Sequence, residues 1–366
     1  MSKPRLLVLA AVAATLVAAP AANAAPSRVQ LQRAVDRVVA AGAPGVIALV
    51  RDGDRTVRAA GGSADLETRR PLRPGDRYRV GSNTKTFVAV AALQLAGEGR
   101  LALTDTVERW LPGLVPGGGA ITVRQLLNHT SGLADYVPDE DDTFIRRVLA
   151  DRHRVWTPHE LVAIGTAQPP LFAPGAAWAY SNTGYVLLGL IVEAASGHPL
   201  ATELRRRIFA PLHLRGTSFA TGPRIVGRHG HGYSRFAARH RYDITEVDQS
   251  WAGAAGAIVS RARDLARFQR ALLGGRLLRP DLLAEMRTTV PVGGQGSGYG
   301  LGLIRSRRPC GTFWGHGGET LGYLTYAETR TRPLRQAMIA VTADQSLFGR
   351  RTMRALDRLH ALAGCG

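Results

Sequence analysis

The chain has 366 residues, with 47 lysines and arginines against 28 aspartates and glutamates, a formal net charge of +19 and 45% hydrophobic residues. That length and apolar content are enough to bury a large core, as one unit or two domains. So basic a balance invites an anionic partner, yet the arginines are scattered, with Arg205-Arg206-Arg207 as a run of three and no basic stripe interleaved with aromatics. Nucleic acid is thereby excluded as a partner, and loose attraction to an acidic cell envelope is the expectation.

The N-terminus reads as an export signal. Lys3 and Arg5 precede the apolar stretch Leu6 to Ala19, and Ala22-Asn23-Ala24 offers small residues for cleavage. Residues 1–24 are thus a signal peptide, too short for a membrane span, and the mature chain starts near Ala25. No later stretch is apolar for long enough to cross a bilayer, so a secreted protein without a membrane anchor is expected. Residues 28–42 carry a 3.6-residue apolar period and end in glycine, which predicts a helix. Val46 to Val50 and Thr56 to Ala60, joined by Arg51-Asp52-Gly53-Asp54, read as a β-hairpin. A helix apolar nearly all round, and so central, is predicted from Ser82 to about Leu95.

The middle of the chain has helical segments broken by loops rich in proline and glycine. Asp139-Glu140-Asp141-Asp142 reads there as a solvated acidic loop, not a calcium site. His229 and His231 lack the supporting ligands of a metal site. The last third returns to β structure at Tyr299 to Ile304, Thr312 to Trp314, Gly322 to Ala327 and Ala337 to Thr342, before an amphipathic helix from Leu347 to Leu362. Strands at both ends around a helical middle predict an α+β fold. One antiparallel sheet is flanked by N- and C-terminal helices, with residues 25–105 and 246–366 forming the sheet domain and residues 106–245 a helical insert. Cys310 and Cys365 fit a single disulfide in an oxidising compartment.

The chemistry centres on lysine. Only Lys3 and Lys85 are lysine, so 45 of the basic residues are arginine, and Lys85 is the one lysine left after export. Arginine holds its proton permanently, whereas a desolvated lysine becomes a neutral base near pH 7. Ser82, three residues earlier, shares a helix face with it, as an activated nucleophile requires. Tyr180-Ser181-Asn182 and His316-Gly317-Gly318 follow in order. The phosphate-loop motif is absent, and so is the Gly-x-Ser-x-Gly of α/β-hydrolases.

These three motifs, with Leu126 to Leu133, Trp251 to Ala257 and Tyr299 to Leu303, make the chain resemble the penicillin-recognising serine enzymes. The likeness is greatest to exported D-Ala-D-Ala carboxypeptidases and class C β-lactamases. The resemblance implies an acyl-enzyme on Ser82, with Lys85 and Tyr180 moving protons and either one open as the base. It implies that Asn182 and His316 position substrate, that Gly317, Gly318 and Trp251 line the substrate pocket, and that the N–H groups of Ser82 and Glu319 form an oxyanion hole. A monomer acting on a small peptide, ester or β-lactam, with no metal or cofactor, is expected. D-alanyl-D-alanine cleavage leads, followed by an esterase, β-lactamase or D-aminopeptidase, and a non-catalytic peptidoglycan or β-lactam binder is the rival from another class. Two departures bear on specificity. Gly317 and Glu319 stand where the carboxypeptidases carry hydroxyls, and Ile304 stands where an arginine is expected, with Arg305 one step on and turned to the other strand face.

Overall fold

The computed structural model describes residues 24–137, 143–220, 222–236, 238–292 and 296–366. The expected signal segment up to residue 23 and the acidic loop Asp139 to Asp142 lie outside the described residues. The first described helix, α1 (Arg28–Ala40), starts with a reciprocal cap in which Ser27 Oγ accepts from Gln30 N while the Gln30 side chain accepts from Ser27 N. The predicted hairpin follows as β1 (Gly45–Asp52) and β2 (Arg55–Asp65), longer at each end than the apolar runs indicate. The central helix α2 (Asn83–Gly97) is buried on nearly every side, as its all-round apolar surface requires.

Helices Val123–Leu127, Thr143–Ala150, Pro158–Thr166 and α3 (Asn182–Ser196) populate the middle of the chain. Then come α4 (Ala262–Leu273), β3 (Ile304–Arg308), β4 (Gly311–Thr320), β5 (Tyr323–Thr331), β6 (Leu334–Val341) and α5 (Arg350–Cys365). Among the described residues these strands form one nine-stranded antiparallel sheet. Its order is Arg70–Pro71, β2, β1, β6, β5, β4, β3, Gly298–Tyr299 and Val290–Pro291. The first strand therefore lies beside the last, with Val46 opposite Val341.

Alternation along β1 supplies both cores. Val46, Ala48 and Val50 face α1 and α5, whereas Ile47 and Leu49 join the larger core around α2 and α3. That double burial explains why β1 reads as a continuous apolar run. One expected strand is corrected. Tyr299 to Ile304 is not a single strand, because Gly298–Tyr299 and β3 form the arms of a hairpin. Gly302 takes φ +73° in the turn, and a side chain at Gly300 would stand 2.1 Å from the Met286 carbonyl oxygen. Cys310, just before β4, and Cys365, in the last turn of α5, form a disulfide across a 55-residue separation.

Candidate active site

Ser82 is held where three elements meet. Tyr78–Arg79 pairs with Ile258–Ser260, and Val80 N donates to Ile258 O at 3.0 Å, which ties the start of α2 to the Trp251-to-Ala257 segment. Gly81 then turns with φ +52°, and a side chain there would lie 2.5 Å from the Glu319 carbonyl oxygen and 2.8 Å from its amide nitrogen. Only glycine permits so close an approach of β4 to the helix start. Gly318 serves the same junction, since a Cβ there would meet Val80 O at 2.0 Å. Neither Gly317 nor Gly318 lines the cavity beside Ser82.

Ser82 occupies the N-cap position of α2 with helical dihedrals and makes no side-chain cap bond. Its Oγ instead lies 3.0 Å from Lys85 Nζ. Lys85 is 0% exposed and has two further partners, Asn182 Oδ1 at 2.6 Å and the Ala255 carbonyl at 3.0 Å. Both of these accept only. A neutral amine has two N–H bonds and one lone pair, so it donates to these two oxygens and turns its lone pair to the Ser82 hydroxyl. Burial draws the Lys85 ammonium down to about 7, against the opposing pull of the Asp135 charge.

The second motif starts α3. Ser181 caps it through Gly184 N, leaving Asn182 as the first helical residue and Tyr180 just outside. Lys85 Nζ stands 4.7 Å from the Tyr180 ring centroid. Asn182, expected to position substrate, also has partners within the protein. Its Oδ1 accepts from Lys85, while its Nδ2 and backbone N donate to Asp135 Oδ2 at 2.8 and 3.1 Å. These partners settle the amide orientation. Asn182 thus bridges the lysine to a carboxylate, with one Nδ2 hydrogen left for a ligand. Burial holds the Asp135 carboxyl above the ordinary range, and the hydrogen bonds from Val137 N and Asn182, together with the Lys85 charge, oppose this.

His316, on β4, is buried and accepts from Tyr299 Oη through Nε2 at 2.9 Å, while its Nδ1–H donates to the Gly317 carbonyl. That arrangement is a neutral imidazole, and burial with the nearby Lys85 charge holds it so down to about 3. A second histidine, His129, packs its ring 4.3 Å from Tyr180 and accepts from Ser181 N. Burial first, and then the Lys85 charge, keep it neutral as well. Lys85 is therefore the one cation at the centre of this group.

A cavity of about 420 Å³ opens beside Ser82. Its walls include Tyr136, Ile145, Phe236, Trp251 and Leu321, together with Tyr180 and Asn182. Trp251 also anchors the wall through its carbonyl, which accepts from Tyr136 Oη at 2.7 Å. Among the described residues three carboxylates line the cavity, Asp135, Glu319 and Asp344, and no arginine does. Glu319 stands at the rim with its surface partly open, and both its oxygens accept from Gln345. Crowding by protein and the Asp344 charge hold its carboxyl above the ordinary range. Asp344 is satisfied by Gly322 N and Ser346. Among the described residues neither acid has an arginine partner, in a chain with 45 arginines. Arg305 pairs along the ladder with Trp314 and is absent from the lining.

The family model named Beta-lactamase matches residues 31–362. The chain belongs to the Beta-lactamase family. A crystal structure of a D-stereospecific amidohydrolase from Streptomyces sp. is 40% identical, with a TM-score of 0.82 over 90% of this chain and 98% of that one. Esterase EstB of Burkholderia gladioli is 31% identical over 71% of this chain and 74% of its own length. Penicillin-binding protein 4* of Bacillus subtilis (strain 168) is 29% identical over 77% of this chain, which spans 64% of that relative. As a member of the Beta-lactamase family the protein is a serine hydrolase of the penicillin-recognising fold.

Reading the sequence missed Asp135, Phe236 and Asp344. Asp135 lies two residues beyond the Leu126-to-Leu133 segment, an acid in a loop with no periodic signal, and the others come from loops far away in sequence. The two histidines set aside as metal ligands, His229 and His231, stack at 5.3 Å, and His231 pairs with Asp243. Among the described residues no group of three or more His, Cys, Asp or Glu is placed to hold a metal.

Proposed function

We propose that this protein is an exported hydrolase of D-amino-acid amides and related esters, working through an acyl-enzyme on Ser82. The observation that carries the reading is the charge of the cavity, which among the described residues has three carboxylates and no guanidinium in its lining. A substrate with a free ammonium gains from those carboxylates, whereas one with a free carboxylate is repelled. The apolar wall of Tyr136, Ile145, Phe236 and Trp251 suits an uncharged side chain of moderate size. The 40% identity to a D-stereospecific amidohydrolase supports the D-configuration and the amide bond.

In this mechanism neutral Lys85 takes the Ser82 proton as Oγ attacks the carbonyl carbon. The N–H groups of Ser82 and Glu319 receive the developing oxyanion, each worth about 3–4 kcal/mol in comparable sites. The proton passes to the leaving amine, with Tyr180 beside Lys85 to relay it, and water then attacks the acyl-enzyme by the reverse path. His316, standing where many relatives carry a lysine, is neutral and offers no cation to a substrate carboxylate. This argues against D-alanyl-D-alanine cleavage as the principal activity, although the likeness to a penicillin-binding protein keeps it as the second reading.

A five-compound panel tests the proposal: D-phenylalanine amide, its N-acetyl derivative, a D-Ala-D-Ala peptide, a short-chain ester and a chromogenic cephalosporin. The free-amine amide is expected to have the highest kcat/KM, and N-acetylation to lower it at least tenfold. Glu319→Gln should narrow the gap between the amide and the peptide acid. Faster turnover of the peptide acid would restore the carboxypeptidase reading, and a single acylation without turnover would make the protein a binder.

A further inference from the structure

On the sheet face opposite α2, the helices α1 and α5 pack together, with Thr352 Oγ1 donating to the Ala41 carbonyl at 2.6 Å. Between them lies a cavity of about 750 Å³, larger than the one beside Ser82. Its floor is apolar, from Ala34, Ala40, Ala355, Leu359 and Leu362, and its walls carry Arg37, Arg350, Arg351, Arg354 and Arg358. Among the described residues no acid lines it.

All five arginines are exposed, and among the described residues none makes an ion pair or a side-chain hydrogen bond. Other arginines of the chain do find partners, as Arg207 does with Glu98 and Glu203, Arg228 with Asp76 and Arg308 with Glu328, although exposed ones such as Arg33, Arg55 and Arg263 make no ion pair among the described residues. The start of α5 sharpens the contrast. Its N-cap is Gly349 without a side-chain cap bond, its first turn has no acid, and that turn holds Arg350 and Arg351. A helix N-terminus disfavours cations and favours anions. Two arginines beside uncapped N–H groups make sense when an anionic phosphate oxygen sits among them.

We propose that this groove docks the protein on an anionic phospholipid surface, with the arginines and the α5 N-terminus on the phosphate headgroup and the exposed Ala40 and half-buried Ala355 and Leu362 of the floor toward the acyl region. The apolar floor selects a lipid over a free polyanion, because a fully hydrated polymer has nothing to bury there. Each arginine near such a surface strengthens binding about fivefold, so removing three weakens it about a hundredfold.

The test uses the full chain and sedimentation with vesicles of phosphatidylglycerol in phosphatidylcholine, against phosphatidylcholine alone. The wild type should prefer the anionic vesicles and lose that preference as ionic strength rises. The variant R351Q/R354Q/R358Q should lose about a hundredfold in affinity with an unchanged Tm, since all three side chains are exposed. Both chains keep the same apolar N-terminal residues, so membrane binding by that segment is common to the two. Equal binding of variant and wild type to the anionic vesicles would overturn the proposal, as would an equal loss by the variant on neutral vesicles. Equal affinity, per phosphate, for soluble inorganic polyphosphate would assign the groove to a free polyanion and overturn the lipid docking.

Discussion

Replacing Asp135 by asparagine tests the electrostatics of the lysine base directly. Asp135 touches Lys85 only through Asn182, with hydrogen bonds of 2.6 and 2.8 Å on either side of the amide. The two charges therefore lie at most about 8 Å apart, and at an effective dielectric of about 20 they attract by about 2 kcal/mol. The Lys85 ammonium titrates at about 7, where burial has drawn it down and the Asp135 charge holds it up. Deleting that charge removes the upward pull alone, so the ammonium becomes easier to deprotonate by about 1–2 pH units. Because the reactive form is the neutral amine, the acid limb of kcat/KM should move from near pH 7 to between about 5 and 6. Asparagine keeps an acceptor for the Asn182 N–H groups, which preserves the geometry, though a neutral acceptor is weaker by about 1 kcal/mol. The assay is a pH profile of kcat/KM for an uncharged ester, so that ionisation of the substrate does not intrude. An acid limb that stays in place, or that moves to higher pH, would refute the assignment of Lys85 as the base.

Lys85→Arg keeps the charge but supplies no lone pair, and should lower kcat at least a thousandfold with the fold intact by circular dichroism. His316, neutral down to about 3, should add no limb of its own to the pH profile between 4 and 9. Gly81→Ala should cost about 2 kcal/mol or more and abolish activity together, because the new methyl meets the Glu319 backbone and the left-handed φ is strained; denaturant melts and hydrolysis measure both. Cys365→Ala opens a 55-residue loop and should lower stability by up to about 4 kcal/mol in the oxidised protein, with no loss in a reduced sample.

Much of the site was legible in one dimension because its chemistry depends on local spacing. Three residues along a helix bring Ser82 and Lys85 into contact whatever the rest of the chain does, and the apolar surroundings of that helix already placed the lysine away from water. The central helix, the hairpin and the terminal helices followed from periodicity for the same reason. The hairpin at Gly300–Leu303 did not, because an apolar run with alternating glycines reads equally as a strand or a turn, and only packing against Met286 decides. The sequence alone determined that a serine and a lysine share one helix turn, and with it the family of chemistry, since those rest on neighbours a turn apart. The tertiary structure alone decided that Asn182 links the lysine to Asp135, and that the cavity is acidic while an arginine groove faces the other way. Charge is a sum over residues in a sequence, but a potential depends on which of them the fold brings together.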